Sequence, residues 1–257
     1  MPLDGCGISL QSMSNNPEII AVPGMSIGEN LASVKRRITQ IATGCGRAAD
    51  DVRLIAVSKV RSLAEVRLAI AAGQKDFGEN TIQDALTKIP ELKDTGVDWH
   101  FIGHLQSKKA SKIPGNFQWV HSVDSLKLAR KLSDAMANSE ISENINCLVQ
   151  VNVAAEESKS GLGKAEVLAF MDELLRLDLP QVSWRGLMTI GVQGDDYQTR
   201  SAFAELRQLL YQCRYEFGLP QFDQLSMGMS NDYAIAIEEG ATMVRIGTAI
   251  FGARAAR

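Results

Sequence analysis

The chain has 257 residues, 45% hydrophobic and 22% charged, with a formal net charge of −3. That suits one large α/β domain or two small ones, and the lack of a broad basic field argues against nucleic acid as a partner. No apolar stretch approaches membrane-spanning length, and the cysteines at positions 6, 45, 147 and 213 form no CxxC pair, so reduced thiols in a cytoplasmic compartment are the default.

Residues Met1 to about Pro23 are rich in Ser, Asn, Pro and Gly, and the first basic residue is Lys35. That stretch has neither the charged start of a secretory signal nor the arginines of a transit peptide, and residues 1–25 are expected to be a loosely ordered extension. A helix is predicted from Ser26 to about Thr43, with Ile27, Leu31, Val34, Ile38 and Ile41 recurring at three- and four-residue steps. Gly44 and Gly46 suit its end.

From Val52 onward, short β-type runs alternate with amphipathic helical runs, the pattern of βα units on a parallel sheet. The predicted strands are Arg53–Ser58, Asp76–Gly78, Trp99–Ile102, Trp119–Ser122, Ile145–Val153, Val182–Met188, Phe222–Ser226 and Met243–Ile246. Helical runs between them include Leu63–Ala72, Leu126–Ala137, Lys164–Leu177 and Thr199–Phe217. Eight such units in roughly 250 residues is the size of a (β/α)8 TIM barrel. A doubly wound open sheet is the alternative, but no GxGxxG follows the first strand. With no linker inside residues 52–252, one domain is expected over 26–257.

Function in a barrel collects where the strands end. The first strand runs into Lys59, and an amine there loses hydration, which favours its neutral, nucleophilic form. The ordinary alternative is a strand-end lysine reaching water. The second strand ends in Glu79-Asn80, the third carries His100 and leads to His104, and the fourth ends with His121. His100 and His104 are interrupted by Gly103 and lie outside any HExxH frame, so a structural role is expected rather than metal binding. Lys108, Lys109 and Lys112 read as the solvated face of a short helix.

The segment Ser226–Asp232 precedes a helical run from Tyr233 to Glu239, with Ser230 placed as its N-cap. Free N–H groups at that helix start would point at an anion, and barrels often bind phosphate after their last two strands. Gly247-Thr248 adds a glycine for close approach and a hydroxyl. Arg245 alternates with Val244 and Ile246 in the last strand, where it needs a partner or a ligand. One possibility is an ion pair; another is the pyridine nitrogen of pyridoxal phosphate, for which arginine is one of the two usual partners.

The segments LIAVSKV, DFGEN, WHFIGHLQSKK, QVNVAAEESKSG, RGLMTIG and LSMGMSNDYAIAIEEGATMVRIGTAIFGAR resemble, in order, those of the pyridoxal phosphate homeostasis proteins (the YggS/PROSC family) over about residues 30–254. The resemblance implies a single barrel like the N-terminal domain of alanine racemase, with pyridoxal 5′-phosphate held covalently on Lys59 as an internal aldimine. It also implies that Arg245 faces the ring nitrogen, that Ser230, Gly247 and Thr248 hold the phosphate with Met229 beside them, and that Asn80 lies at the ring side. Lys159 matches a further lysine of the family. Lys108 departs from it, standing where asparagine is common, and the N-terminal extension has no counterpart there.

Three functions fit such a site: a pyridoxal phosphate carrier, an amino-acid racemase and a Schiff-base aldolase. Alanine-type racemases resemble this barrel plus a second domain and a partner-subunit tyrosine, because racemisation needs proton delivery on both faces of the substrate. Here FGAR ends the barrel at Arg254 with three residues to follow, and Tyr197, Tyr211, Tyr215 and Tyr233 lie in or beside helical runs. The aldolase would leave Arg245 without a role. A monomeric cofactor-homeostasis protein without turnover is therefore expected, buffering the cofactor or delivering it to apo-enzymes.

Overall fold

The computed structural model describes residues 24–154, 156, 159–192 and 194–253. The expected extension lies outside them except for Gly24 and Met25, as does Arg254.

Helix α1 (Ile27–Gly44) is fixed by local chemistry: Ser26 Oγ accepts the Glu29 N–H, while the Glu29 carboxylate accepts the Ser26 N–H at 2.7 Å. Such a capping box contributes about 1 kcal/mol. Leu31, Val34, Ile38 and Ile41 form its buried stripe. The same box, Ser62 with Glu65, starts α2 (Leu63–Ala71).

The strands are β1 (Arg53–Val57), β2 (Asp76–Glu79), β3 (Asp98–Phe101), β4 (Trp119–Val123), β5 (Ile145–Asn152), the two-residue β6 (Leu162–Gly163), β7 (Val182–Met188), β8 (Gln224–Ser226) and β9 (Met243–Ile246). All pairings are parallel, in the order β4-β3-β2-β1-β9-β8-β7-β5, and β4 pairing with β5 closes the ring. This is the eight-stranded barrel expected, and β6 is an unforeseen addition beside β5. The other helices are α3 (Ile82–Ala85), α4 (Leu126–Ala137), α5 (Val167–Leu175), α6 (Asp196–Phe217), α7 (Tyr233–Glu238) and α8 (Thr248–Phe251). None among the described residues is long and apolar enough to cross a membrane.

The core has two layers, as strand alternation requires. Leu54, Ala56, Val244 and Ile246 point outward into the large core beneath the helices. Ile55, Trp119, Leu148, Met188 and Met243 point inward and plug the barrel. Parity therefore carries Lys59 inward with Ile55 and Val57, and Arg245 inward with Met243. Gly186, at φ 151°, lies where the β5–β7 register shifts; a Cβ there would come 1.9 Å from the Gln224 carbonyl oxygen, so the bulge requires glycine. Helix α1 ties the last unit of the barrel to the first: Asn30 Nδ2 donates to the Ile250 carbonyl at 3.2 Å and Lys35 Nζ to the Gly73 carbonyl at 3.0 Å.

Two element boundaries moved for local reasons. Phe222 N–H donates to the Leu219 carbonyl in a turn, so β8 begins later than expected, at Gln224. Asp195 accepts the Gln198 N–H at 2.9 Å and starts α6 earlier, at Asp196.

Candidate functional site

A cavity of about 860 Å³ opens at the C-terminal rim of the barrel. Lys59, Asn80, Met229, Ser230, Arg245, Gly247 and Thr248 all line it. The structure thus brings together every residue expected at the site, from the ends of β1, β2, β8 and β9.

Lys59 stands two residues beyond β1, half-buried rather than enclosed, so the expected burial of its amine is partial. Its turn is clamped from below. Lys88, 1% exposed, donates from Nζ to the Ser58 carbonyl at 2.9 Å and pairs with Glu79 at 2.7 Å and Asp84 at 3.1 Å. Asp84 also accepts the Val60 N–H at 2.6 Å, and Ser58 Oγ donates to Glu79 at 2.6 Å. Val60 sits at φ 55°, a left-handed conformation costly for a β-branched residue. Burial pushes the Glu79 carboxyl up to about 7, against the lowering effect of Lys88 and Ser58. Glu79 Oε2 is buried without a hydrogen-bond partner.

Asn80 Oδ1 is likewise buried without a partner, at the cavity wall. Gly103 permits this placement: a Cβ there would lie 2.0 Å from the Asn80 carbonyl oxygen. An orphaned acceptor at a cavity wall calls for a donor from a ligand.

Arg245 is 5% exposed, and its contacts bear on one of the alternatives left open by the sequence, the ion pair. Among the described residues it forms no ion pair; Nη1 donates to Ser226 Oγ at 2.7 Å and Nη2 to the Thr189 carbonyl at 2.9 Å. Burial pushes its guanidinium down to about 10, opposed by the charge of Asp232, so it is a cation at neutral pH.

The Ser226–Asp232 loop departs from expectation in one respect. Ser230 is not the N-cap of α7; Asp232 occupies that position. The Asp232 and Tyr233 N–H groups both donate to the Met229 carbonyl, and the Met229 N–H donates to the Asp232 carboxylate, so these donors are already used. Gly228, at φ 91°, lets the loop lie on α7, where a Cβ would come 2.6 Å from that of Ala236. The helix start open to the cavity belongs instead to α8, whose N-cap is Gly247 and which has no side-chain cap. A short helix after the last barrel strand is where barrels often take phosphate. Four residues show no periodicity, so α8 was invisible in the sequence.

Asp232 was also missed. It lines the cavity, and burial raises its pKa, with the Met229 N–H, Arg245 and Lys159 opposing. Lys159 does not line the cavity. It pairs with Glu156 at 2.6 Å and donates to the Gly191 carbonyl at 2.8 Å, pinning the loop after β5 to the loop after β7. His100 and His121 are wholly buried and hydrogen-bonded to each other, whereas His104 is exposed. Lys108 and Lys112 are exposed on the short helix Ser107–Lys112, as expected, whereas Lys109 is half-buried, its Nζ donating to Gln83 Oε1 at 3.4 Å.

Comparison with known proteins shows the family and the fold. The family model described as "Alanine racemase, N-terminal domain" matches residues 30–255. A Pseudomonas aeruginosa protein named "Pyridoxal phosphate homeostasis protein" is 47% identical over 230 residues, 89% of this chain and 96% of that protein. PipY of Synechococcus elongatus, solved with pyridoxal phosphate bound, aligns with a TM-score of 0.76 at 36% identity, covering 88% of this chain and all of PipY. Alanine racemase from Corynebacterium glutamicum shares the fold at a TM-score of 0.63 and 19% identity, over 87% of this chain and 59% of the racemase.

Proposed function

The chain belongs to the pyridoxal phosphate homeostasis protein family, built on the alanine racemase N-terminal domain, and we propose that it binds pyridoxal 5′-phosphate at the barrel rim, covalently through Lys59, to buffer or deliver the cofactor. When bound, the cofactor supplies an aldehyde and an electron-withdrawing pyridine ring. The observation that carries the reading is the convergence of a lysine amine, a buried guanidinium and a hydroxyl-lined helix start on one cavity.

The donor set fits the cofactor group by group. Lys59 is the residue that would hold the aldehyde carbon, in a condensation that releases water. Ser230, Thr248 and the backbone at Gly247 hold the phosphate at the start of α8. Arg245 meets the ring nitrogen as a donor; a guanidinium gives up no proton, so that nitrogen stays neutral and the ring withdraws electrons weakly. The orphaned Asn80 oxygen supports a ligand donor at the ring side, and Met229, which lines the same cavity, would lie beside the phosphate.

A holding role, rather than turnover, is supported by what the cavity contains. Racemisation needs a proton group on each face of the substrate. None of the four tyrosines lines the cavity: Tyr197, Tyr211 and Tyr215 are exposed on α6, and Tyr233 is buried in α7. Among the described residues, the exposed large hydrophobics outside α6, Met25, Val60, Leu68 and Leu175, are scattered, which supports a monomer.

The test is covalent trapping. Purified protein should be yellow, and borohydride should fix the cofactor on the Lys59 peptide. A Lys59→Ala variant that still forms a reducible adduct in this cavity would overturn the assignment. Delivery is tested by transfer from labelled holo-protein to an apo-transaminase with free cofactor trapped, and efficient interconversion of amino-acid enantiomers on a chiral column would refute the holding role.

A further inference from the structure

A hydrogen-bonded chain crosses the inside of the barrel from the cavity to the opposite end. Arg245 Nη1 donates to Ser226 Oγ at 2.7 Å, and Ser226 Oγ lies 2.8 Å from His121 Nδ1. His121 Nε2 is 3.0 Å from His100 Nδ1, and His100 Nε2 is 3.1 Å from Asp76 Oδ1. His100, His121 and Ser226 are 0% exposed, so bulk solvent does not reach them. Asp76 opens β2 at the N-terminal end of the barrel, where Arg53 pairs with it at 3.4 Å.

Counting donors and acceptors fixes where the protons sit. A carboxylate offers only lone pairs, so His100 Nε2 must carry a proton. In one arrangement His100 is neutral, and its Nδ1 accepts a proton from His121 Nε2. His121 Nδ1 is then bare and accepts the Ser226 O–H, while Ser226 Oγ accepts from Arg245. Every group is satisfied, and every donor points toward Asp76.

If instead either ring is an imidazolium, whether His100 donating from Nδ1 to His121 Nε2 or His121 donating from both nitrogens, His121 donates from Nδ1 to Ser226. Ser226 then accepts from both sides, and its own proton has no acceptor, because His121 and Arg245 are its only side-chain partners among the described residues. A buried hydroxyl without an acceptor is unfavourable. A second buried cation would also stand close to Arg245. Burial lowers the pKa of His100, and burial together with His100 and Arg245 lowers that of His121, which favours the neutral rings.

Resting on the reading that Arg245 meets the cofactor ring, we infer that Asp76, His100, His121 and Ser226 form a one-way donor chain, both imidazoles in the Nε2–H tautomer, that positions Arg245 from the far end of the barrel. These are positioning residues, since only Arg245 lines the cavity. With Nη1 held by the chain and Nη2 by the Thr189 carbonyl, the guanidinium plane is fixed before any ligand arrives.

The experiment reads tautomers in cofactor-free, histidine-15N-labelled protein by long-range 1H–15N correlation. Only three histidines are present, and His104 is separated from the others by its exposure. Both remaining rings should show a protonated Nε2 and a bare Nδ1 at neutral pH; an Nδ1–H tautomer or an imidazolium in either ring overturns the inference. Asp76→Ala removes the terminal acceptor, so either tautomer set then leaves one buried donor unpaired; His121 should populate both tautomers, with pyridoxal phosphate retention falling by about tenfold, the equivalent of one lost hydrogen bond to a charged group. Asp76→Asn keeps an acceptor oxygen and should restore both readouts, and Arg53→Gln should move neither. Unchanged tautomers in a folded Asp76→Ala protein would sink the chain. Because the tautomers are read without cofactor, wild-type protein that shows them but takes up no pyridoxal phosphate would refute the cofactor reading alone.

Discussion

Replacing Lys88 with methionine is the sharpest test of how the Lys59 turn is held. Lys88 is 1% exposed and Glu79 0%, so the substitution leaves a buried carboxylate without its cation. It also removes the donor to the Ser58 carbonyl and the partner of Asp84. Breaking a buried pair from one side costs about 3–5 kcal/mol, or roughly 6–20 °C in Tm for a domain of this size. The pH dependence gives the mechanism. Glu79 already has its folded-state value raised from 4.5 to about 7, chiefly by burial, with Lys88 pulling it down. A raised carboxyl contributes stability that is fully present below the unfolded value and is lost as pH rises through the folded one. Without Lys88 the folded value climbs further, so the deficit of Lys88→Met should be small near pH 5 and largest above pH 7. Circular-dichroism melts of cofactor-free protein at pH 5 and 8.5 measure it. Adding Glu79→Gln should recover most of the loss at pH 8.5, and the borohydride-trapped fraction on Lys59 should fall in the single variant, since Ser58 and Val60 flank that lysine. A deficit below about 1 kcal/mol, or one equal at both pH values, would refute a buried charge pair as the clamp.

Arg245→Met should weaken pyridoxal phosphate binding by roughly ten- to a hundredfold, the worth of a hydrogen bond to a charged group, measured by fluorescence titration. Gly228→Ala should cost about 1–3 kcal/mol in denaturant melts, because φ is 91° and the new methyl would meet Ala236 and Tyr233. Thr248→Val removes a hydroxyl from an exposed helix start, so phosphate-dependent affinity should drop while unfolding free energy stays within about 0.5 kcal/mol of wild type; pyridoxal, which lacks the phosphate, serves as the control ligand.

What the sequence determined by itself was everything that local chemistry encodes. Period-two and period-3.6 patterns placed the eight strands and the long helices, and the capping boxes that the structure shows at Ser26 and Ser62 are local too, since their partners are three residues away. The strand ends and the family resemblance named the candidate site residues, all of which line one cavity. What only the tertiary structure decided was which groups satisfy one another. Ser230 looked like a cap, but Asp232 took that position because its carboxylate reaches back to the Met229 N–H. Arg245 could have been half of an ion pair, and instead it ends a chain through Ser226 and His121, residues 105 positions apart in sequence. Lys88 and Glu79 meet beneath Lys59 only because β1, β2 and the turn after α3 pack together. Local preferences act over a few residues and leave a trace in the sequence. The pairing of buried polar groups depends on distances that exist only once the barrel has closed.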